Sequence, residues 1–152
     1  MQLDRIDHAI LRELQADGRL ANVDLAEKVG LSPSACLRRV KLLEDSGLIA
    51  GYVMKLNAQA AGFPGTAFVQ ITLDRQNRDA LDSFERAVSR LPDVLACYLL
   101  AGQADYLLHI AYRDSTDLER IHAECLTPLP GVIRIQSTLA LRTVKQTMAL
   151  PL

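Results

Sequence analysis

At 152 residues, with 49% hydrophobic and 23% charged side chains, 8 glycines and 6 prolines, the chain has the composition of a folded protein and not of a disordered, collagenous or low-complexity one. The length suits one ordinary domain or two small ones, and two small ones would each gain by burying surface in association. A net charge of −1, from 17 basic and 18 acidic residues, excludes a global positive field, so any nucleic-acid contact must come from a local patch.

Asp4 is placed to cap a first helix whose apolar face is Ile6, Ala9, Ile10 and Leu14, and Asp17-Gly18 stops it. Asn22 reads as the cap of a short second helix burying Leu25, Ala26 and Val29, with Gly30 at the left-handed end position. Ser32-Pro33, a cap followed by proline at the first helical position, then opens a third helix that Gly47 closes after about Ser46. Small Ala26 and the turn Gly30-Leu31-Ser32 give this set the spacing of a helix-turn-helix unit.

At about 100° per residue, Cys36, Val40 and Leu43 of the third helix gather on the core side. Ser34, Arg38, Lys41 and Asp45 project oppositely, Arg39 lies on a flank, and Leu42 falls clearly on neither side. Arginine reads guanine bidentately, while lysine and serine more often hold phosphates. The Ser32 hydroxyl caps the helix, whose N-terminus suits a phosphate. The expected DNA contacts are therefore Ser32, Ser34, Arg38, Arg39 and Lys41. A solvated charged face is the plainer alternative.

Ile49 to Leu56 reads as a short strand, and Asn57 to Gly65 as a small-residue connector, so the domain boundary is expected at residue 60. Beyond it lies an internal repeat: Leu91-Pro92-Asp93-Val94 and Leu129-Pro130-Gly131-Val132 each close a helical stretch. Strands are predicted over 66–73, 94–101, 105–112 and 132–141. Helices are predicted from Arg78 to Leu91 and from Ser115 to Thr127, the latter with a capping box of Thr116 and Glu119. Two tandem strand-helix-strand copies suit a split β-α-β sheet, with Gly102-Gln103-Ala104 as a hairpin turn. Alternation sets Val69, Ile71 and Leu73 against Phe68, Gln70 and Thr72, and Ile133, Ile135, Leu139 and Leu141 against Arg134, Gln136, Thr138 and Arg142. The outer face is mixed instead of fully polar, which points to sheet-to-sheet association. The fold class is thus α+β: a winged-helix-like helix-turn-helix domain over 1–60 and a βαββαβ ferredoxin-like domain over 61–152.

Catalytic and metal readings find little support. His8, His109 and His122 fall on separate elements, and neither a His-Glu-x-x-His pattern nor a Gly-rich phosphate loop occurs. Cys36, Cys97 and Cys125 form no Cys-x-x-Cys pair, lie in apolar contexts and suit a reducing compartment. No run approaches the roughly 18 apolar residues of a membrane span. The start, Met1-Gln2-Leu3-Asp4-Arg5, lacks a signal-peptide core. The expectation is a cytoplasmic protein that is not an enzyme, holds no metal or cofactor and has no membrane partner.

Several segments together resemble the leucine-responsive / asparagine-synthetase regulators, the Lrp/AsnC or feast/famine family. They are Leu3-Asp4-Arg5-Ile6-Asp7, Asn22-Val23-Asp24-Leu25-Ala26, the run Leu31 to Val40, Leu48-Ile49-Ala50-Gly51-Tyr52, Gly102-Gln103-Ala104-Asp105-Tyr106-Leu107-Leu108, Leu129-Pro130-Gly131-Val132 and Val144-Lys145. The resemblance spans essentially the whole chain. It implies a transcription regulator with an N-terminal domain that binds double-stranded DNA, a β-ribbon hinge, and a C-terminal effector-binding and oligomerisation domain. It further implies dimers packed sheet on sheet, assembled into tetramers or octamers, and control of amino-acid metabolism or transport genes. A free amino acid would bind between dimers near the Gly-x-x-Asp-Tyr turn, here Gly102, Gln103, Asp105 and Tyr106. Many members carry an acidic residue where this chain has Gln103, a departure that bears on ligand choice. Two rivals stand beside this reading: an architectural DNA-binding protein without an effector, and a small-molecule-binding module whose helices meet a protein partner.

Overall fold

Asp4 opens the first element as its spacing predicts. In the computed structural model, which describes residues 2–152, its carboxylate accepts from the N–H groups of Ile6 and Asp7, both at 2.8 Å. Asp7 returns the favour to the Asp4 N–H at 3.1 Å. This reciprocal cap starts α1 (Arg5–Ala16). Helix α2 (Asn22–Val29) ends at Gly30, whose φ of 71° is the left-handed conformation that favours glycine. Helix α3 (Pro33–Asp45) starts from the Ser32 hydroxyl, which accepts from the Ala35 N–H at 3.3 Å. Ile10, Leu11, Leu25, Ala26, Cys36 and Leu43 form the buried core of the three helices.

Three local expectations differ. Ala21, not Asn22, occupies the cap position of α2 and makes no side-chain cap bond; the Asn22 amide instead donates to the Pro33 carbonyl at 2.8 Å and ties the start of α2 to the start of α3. Ile49 to Leu56 forms no strand. A strand exists through its cross-strand ladder, and among the described residues no segment pairs with this one; Val53 and Met54 are 82% and 83% exposed. The chain also divides otherwise than at residue 60. One unit runs from the N-terminus through Lys55 and includes Lys145–Leu152; the other is Leu56–Val144. The reason for the returning tail is specific: Leu150 donates its N–H to the Gln15 side chain at 2.6 Å, and its carbonyl accepts from the same side chain at 3.2 Å.

The second unit holds β1 (Gly65–Leu73), α4 (Arg78–Val88), β2 (Val94–Leu99), β3 (Tyr106–Tyr112), α5 (Ser115–Arg120), a π-helical turn over Ile121–Leu126, and β4 (Val132–Leu139). The four strands form one antiparallel sheet in the order β2-β3-β1-β4. That is the expected split β-α-β topology, with element ends shifted by a few residues. Ala67, Val69, Ile71, Leu73, Tyr106, Leu108 and Ile110 point inward, against Phe84 and Val88 of α4 and Ile121 and Leu126 after α5.

Asp114 caps α5 through the Asp117 N–H at 2.8 Å, in place of the expected Thr116–Glu119 box. The helix then widens, and both the N–H and the hydroxyl of Thr127 reach the His122 carbonyl, at 3.0 and 2.8 Å. Ile133, Leu139 and Leu141 are exposed, contrary to their expected inward place; Leu139 is the last residue of β4 and Leu141 lies beyond it. The register between β1 and β4 shifts at Thr72/Leu73, so Ile133 is the extra residue of a bulge and the alternation resumes at Arg134.

Gly65 pairs with Tyr112 across the sheet, and a Cβ at Gly65 would fall within the Tyr112 ring. Overpacking of this kind costs about 1–3 kcal/mol. Gly65→Ala is therefore expected to lower the unfolding free energy by roughly that amount in urea denaturation, with the slope unchanged.

Candidate nucleic-acid interface and effector turn

Helix α3 presents two chemically distinct sides. Cys36 and Leu43 are buried, while Ser34, Arg38 and Lys41 are exposed. Among the described residues neither Arg38 nor Lys41 pairs with a carboxylate. The hydroxyls of Ser32 and Ser34 lie 3.3 Å apart at the helix start. A capped N-terminus, two hydroxyls and two unpaired cations make a surface suited to an anionic partner. Leu42, unassigned by angle, is exposed.

Arg39 is differently placed. Its Nη1 donates to Asp4 at 2.8 Å and to Asp7 at 2.7 Å, clipping α3 to the start of α1. Its side chain is only 28% exposed. Two carboxylates neutralise its charge, so its first structural role is to position α3.

The Asp7 N–H, and after it Arg39, hold the Asp4 carboxyl below its ordinary 3.8. In the other unit Asp117 is lowered too, first by the Arg113 N–H at 2.9 Å and then by Arg120 at 2.8 Å. A carboxyl lowered in the folded state contributes stability above its unfolded value and loses it as pH falls through the folded one. The unfolding midpoint is expected to be flat down to about pH 5 and to drop progressively below about pH 4. Asp117→Asn should shallow that drop in a pH series of thermal melts.

The effector turn joins β2 to β3, and its four expected residues divide. Gly102 and Gln103 are exposed, and nothing lies within 4 Å of where a Gly102 Cβ would stand. Asp105 is 9% exposed. Its carboxylate accepts from the Leu73 N–H at 2.7 Å, its own N–H donates to Ile71 at 2.9 Å, and its carbonyl accepts from Leu100 at 2.8 Å. The Asp105 side chain and N–H thus bond the end of β1, while its carbonyl closes the turn through Leu100. Tyr106 is buried, donates to Glu85 at 2.8 Å and packs on Phe84 with ring centroids 4.4 Å apart. Burial, and after it Glu85, raises the Tyr106 hydroxyl well above its ordinary value, so it stays a donor. The turn is an open rim of Gly102 and Gln103 on a rigid base of Asp105 and Tyr106. The sequence reading missed Glu85, for which no local signal exists.

The remaining candidates are structural. Burial raises the Cys36 thiol, and it pushes Cys97 to about 11 with Glu85 adding to the shift, which disfavours the thiolate a nucleophile needs. His109 lies on the outer sheet face, stacked on Phe68 at 5.1 Å. Among the described residues no three His, Cys, Asp or Glu side chains gather as metal ligands would, and no helix is long and apolar enough to cross a membrane.

Comparison with known proteins matches both units. Residues 3–50 match the winged helix-turn-helix DNA-binding model, and residues 66–150 match the Lrp/AsnC ligand binding domain. The leucine-responsive regulatory protein of Escherichia coli (strain K12) is 42% identical over 144 residues, covering 95% of this chain and 88% of that protein. A transcriptional regulator from Neisseria meningitidis, solved in complex with L-Met, is 39% identical with a TM-score of 0.94, covering 99% of this chain and 97% of the other. The feast or famine regulatory protein from M. tuberculosis complexed with L-methionine is 35% identical with a TM-score of 0.84, covering 98% and 99%.

Proposed function

The chain belongs to the Lrp/AsnC family of transcription regulators, which are not enzymes, and from that premise we propose that a free amino acid sets its occupancy of specific DNA sites controlling amino-acid metabolism or transport. The observation that carries the reading is the side of α3 on which Arg38 and Lys41 stand exposed and unpaired beside Ser34, at a helix capped by Ser32. Ser32, Ser34 and Lys41 hold phosphates and Arg38 reads a base. Arg39 contributes by holding α3 in place through Asp4 and Asp7, and meets the backbone from the flank.

The effector reading rests on the turn. Gly102 leaves room for a ligand to approach the backbone, main-chain N–H groups suit an α-carboxylate, and Asp105 offers a carboxylate to an α-ammonium. Methionine is the ligand of both the Neisseria and the M. tuberculosis relatives, and neutral Gln103 suits an uncharged side chain. The outer sheet face, with Phe68 and Tyr98 exposed, serves as the dimer surface of a cytoplasmic homo-oligomer that assembles further into tetramers or octamers. A two-fold dimer presents two recognition helices, so its sites are imperfect palindromes with half-sites about 34 Å, or a multiple of that, apart.

Selection of bound duplexes from a random pool, with and without an amino-acid mixture, tests the whole reading. The expected result is an enriched palindrome whose affinity falls with salt and changes with the mixture. Absence of duplex binding, or binding without a salt slope, overturns it. In a thermal-shift screen the effector at 100 times its Kd should add about 2.7 kcal/mol of stability. No shift with any amino acid would leave an architectural DNA-binding protein.

A further inference from the structure

Leu37 is the fifth residue of α3 and is 59% exposed, outside the core its own helix helps to build. Its place on the helix is specific. At about 100° per residue it lies roughly 60° from Ser34 and 40° from Lys41, as the i+3 neighbour of the first and the i−4 neighbour of the second. An apolar side chain thus stands in the N-terminal half of the helix, flanked by a hydroxyl and an unpaired cation. Leu42, the other exposed leucine of α3, lies about 80° from Ser34 on the opposite flank, toward Arg39 and Asp7.

Single exposed leucines are common and need no account. This one sits beside Arg38 and Lys41, which form no ion pair among the described residues, so the partner that covers it is anionic at its edges and apolar where Leu37 touches it. The major groove has that combination: phosphates along its walls and, on its floor, the C5-methyl of thymine, the one apolar group a base pair presents there. Helix-turn-helix docking brings the N-terminal residues of the second helix to the base edges. We infer that Leu37 is a specificity-determining residue that packs against a thymine methyl in each half-site. The inference rests on the DNA-contact reading of α3 and adds to it a base preference at one position.

The test uses the full chain and its selected duplex. Each thymine is replaced in turn by deoxyuridine, which removes only the methyl, and Kd is measured for the parent, Leu37→Ala and Leu37→Met. The parent should lose about four-fold in affinity at one thymine per half-site, the factor equal to ~0.8 kcal/mol per buried methyl at 1.4 kcal/mol per decade. Leu37→Ala should bind the thymine and uracil duplexes alike, and Leu37→Met should keep the preference. Equal thymine-to-uracil ratios in the parent and Leu37→Ala, or no sensitive position in the parent, overturn the inference while leaving DNA binding intact. So does a changed oligomer size or a complete loss of binding by a folded Leu37→Ala protein. Failure of the parent to bind any duplex overturns the DNA-contact reading itself.

Discussion

Arg38→Ala is expected to weaken binding to a selected operator by about 1–3 kcal/mol, roughly 5- to 150-fold, and to relax the base preference at one position. The guanidinium is exposed and pairs with no carboxylate among the described residues. Its removal therefore takes a DNA contact away without leaving a buried partner unpaired. Size-exclusion and circular-dichroism profiles should match the parent. Lys41→Ala separates the roles further: it should weaken all sequences alike and shallow the dependence of log K on log salt by about one unit. An Arg38→Ala protein with parental affinity, or with its oligomer lost, would put the DNA-facing side elsewhere on α3.

Phe84→Ala carries the largest expected cost in stability, about 3–5 kcal/mol. Phe84 is fully buried and packs on the Tyr106 ring at 4.4 Å, so truncation opens a cavity under the central strands β1 and β3. The midpoint of urea unfolding should fall, with the slope retained if the transition stays two-state. Tyr106→Phe gives the contrast. It keeps the ring and removes only the donor to Glu85, whose exposed carboxylate water can then solvate, so it should cost only about 0.5–1.5 kcal/mol, the net worth of one hydrogen bond. Because Tyr106 directly follows Asp105, loss of effector response in Tyr106→Phe without loss of DNA binding would link the base of the turn to the ligand. A Phe84→Ala protein as stable as the parent would mean that the site collapses onto the cavity without cost.

Much of this architecture is legible residue by residue. Asp4, Ser32-Pro33 and Gly30 announce helix ends because capping involves groups within three or four residues of each other. The alternation of Val69, Ile71 and Leu73 announces an inward strand face for the same reason. The repeat of Leu-Pro-x-Val marks two equivalent helix-to-strand corners, and the four strands predicted over 61–152 coincide with those observed to within a few residues. On α3 the angular spacing alone separates Cys36 and Leu43 from Arg38 and Lys41, and burial agrees.

What the sequence does not show is whatever depends on a partner far along the chain. Nothing beside Arg39 in the sequence announces its ion pairs with Asp4 and Asp7, 35 and 32 residues away. Nor does anything beside Asp105 announce the Leu73 N–H, 32 residues away, that donates to one of its carboxylate oxygens. Ile133 alternates correctly on its own strand, and only the bulge against β1 turns it out. Ile49 to Leu56 has the composition of a strand and no ladder to join among the described residues. Gln15 and Leu150 show no sign of each other across 135 residues.

The order of amino acids by itself therefore determined where helices begin and end, which face of each strand is apolar, and which side of α3 is cationic, since these depend on neighbours a turn or a strand pair away. Tertiary structure alone decided which charges remain free. Arg38 and Lys41 stand without a carboxylate among the described residues while Arg39 is paired with Asp4 and Asp7, because a charge is paired or left free by what folding carries to within about 3 Å of it, and no local pattern encodes that distance.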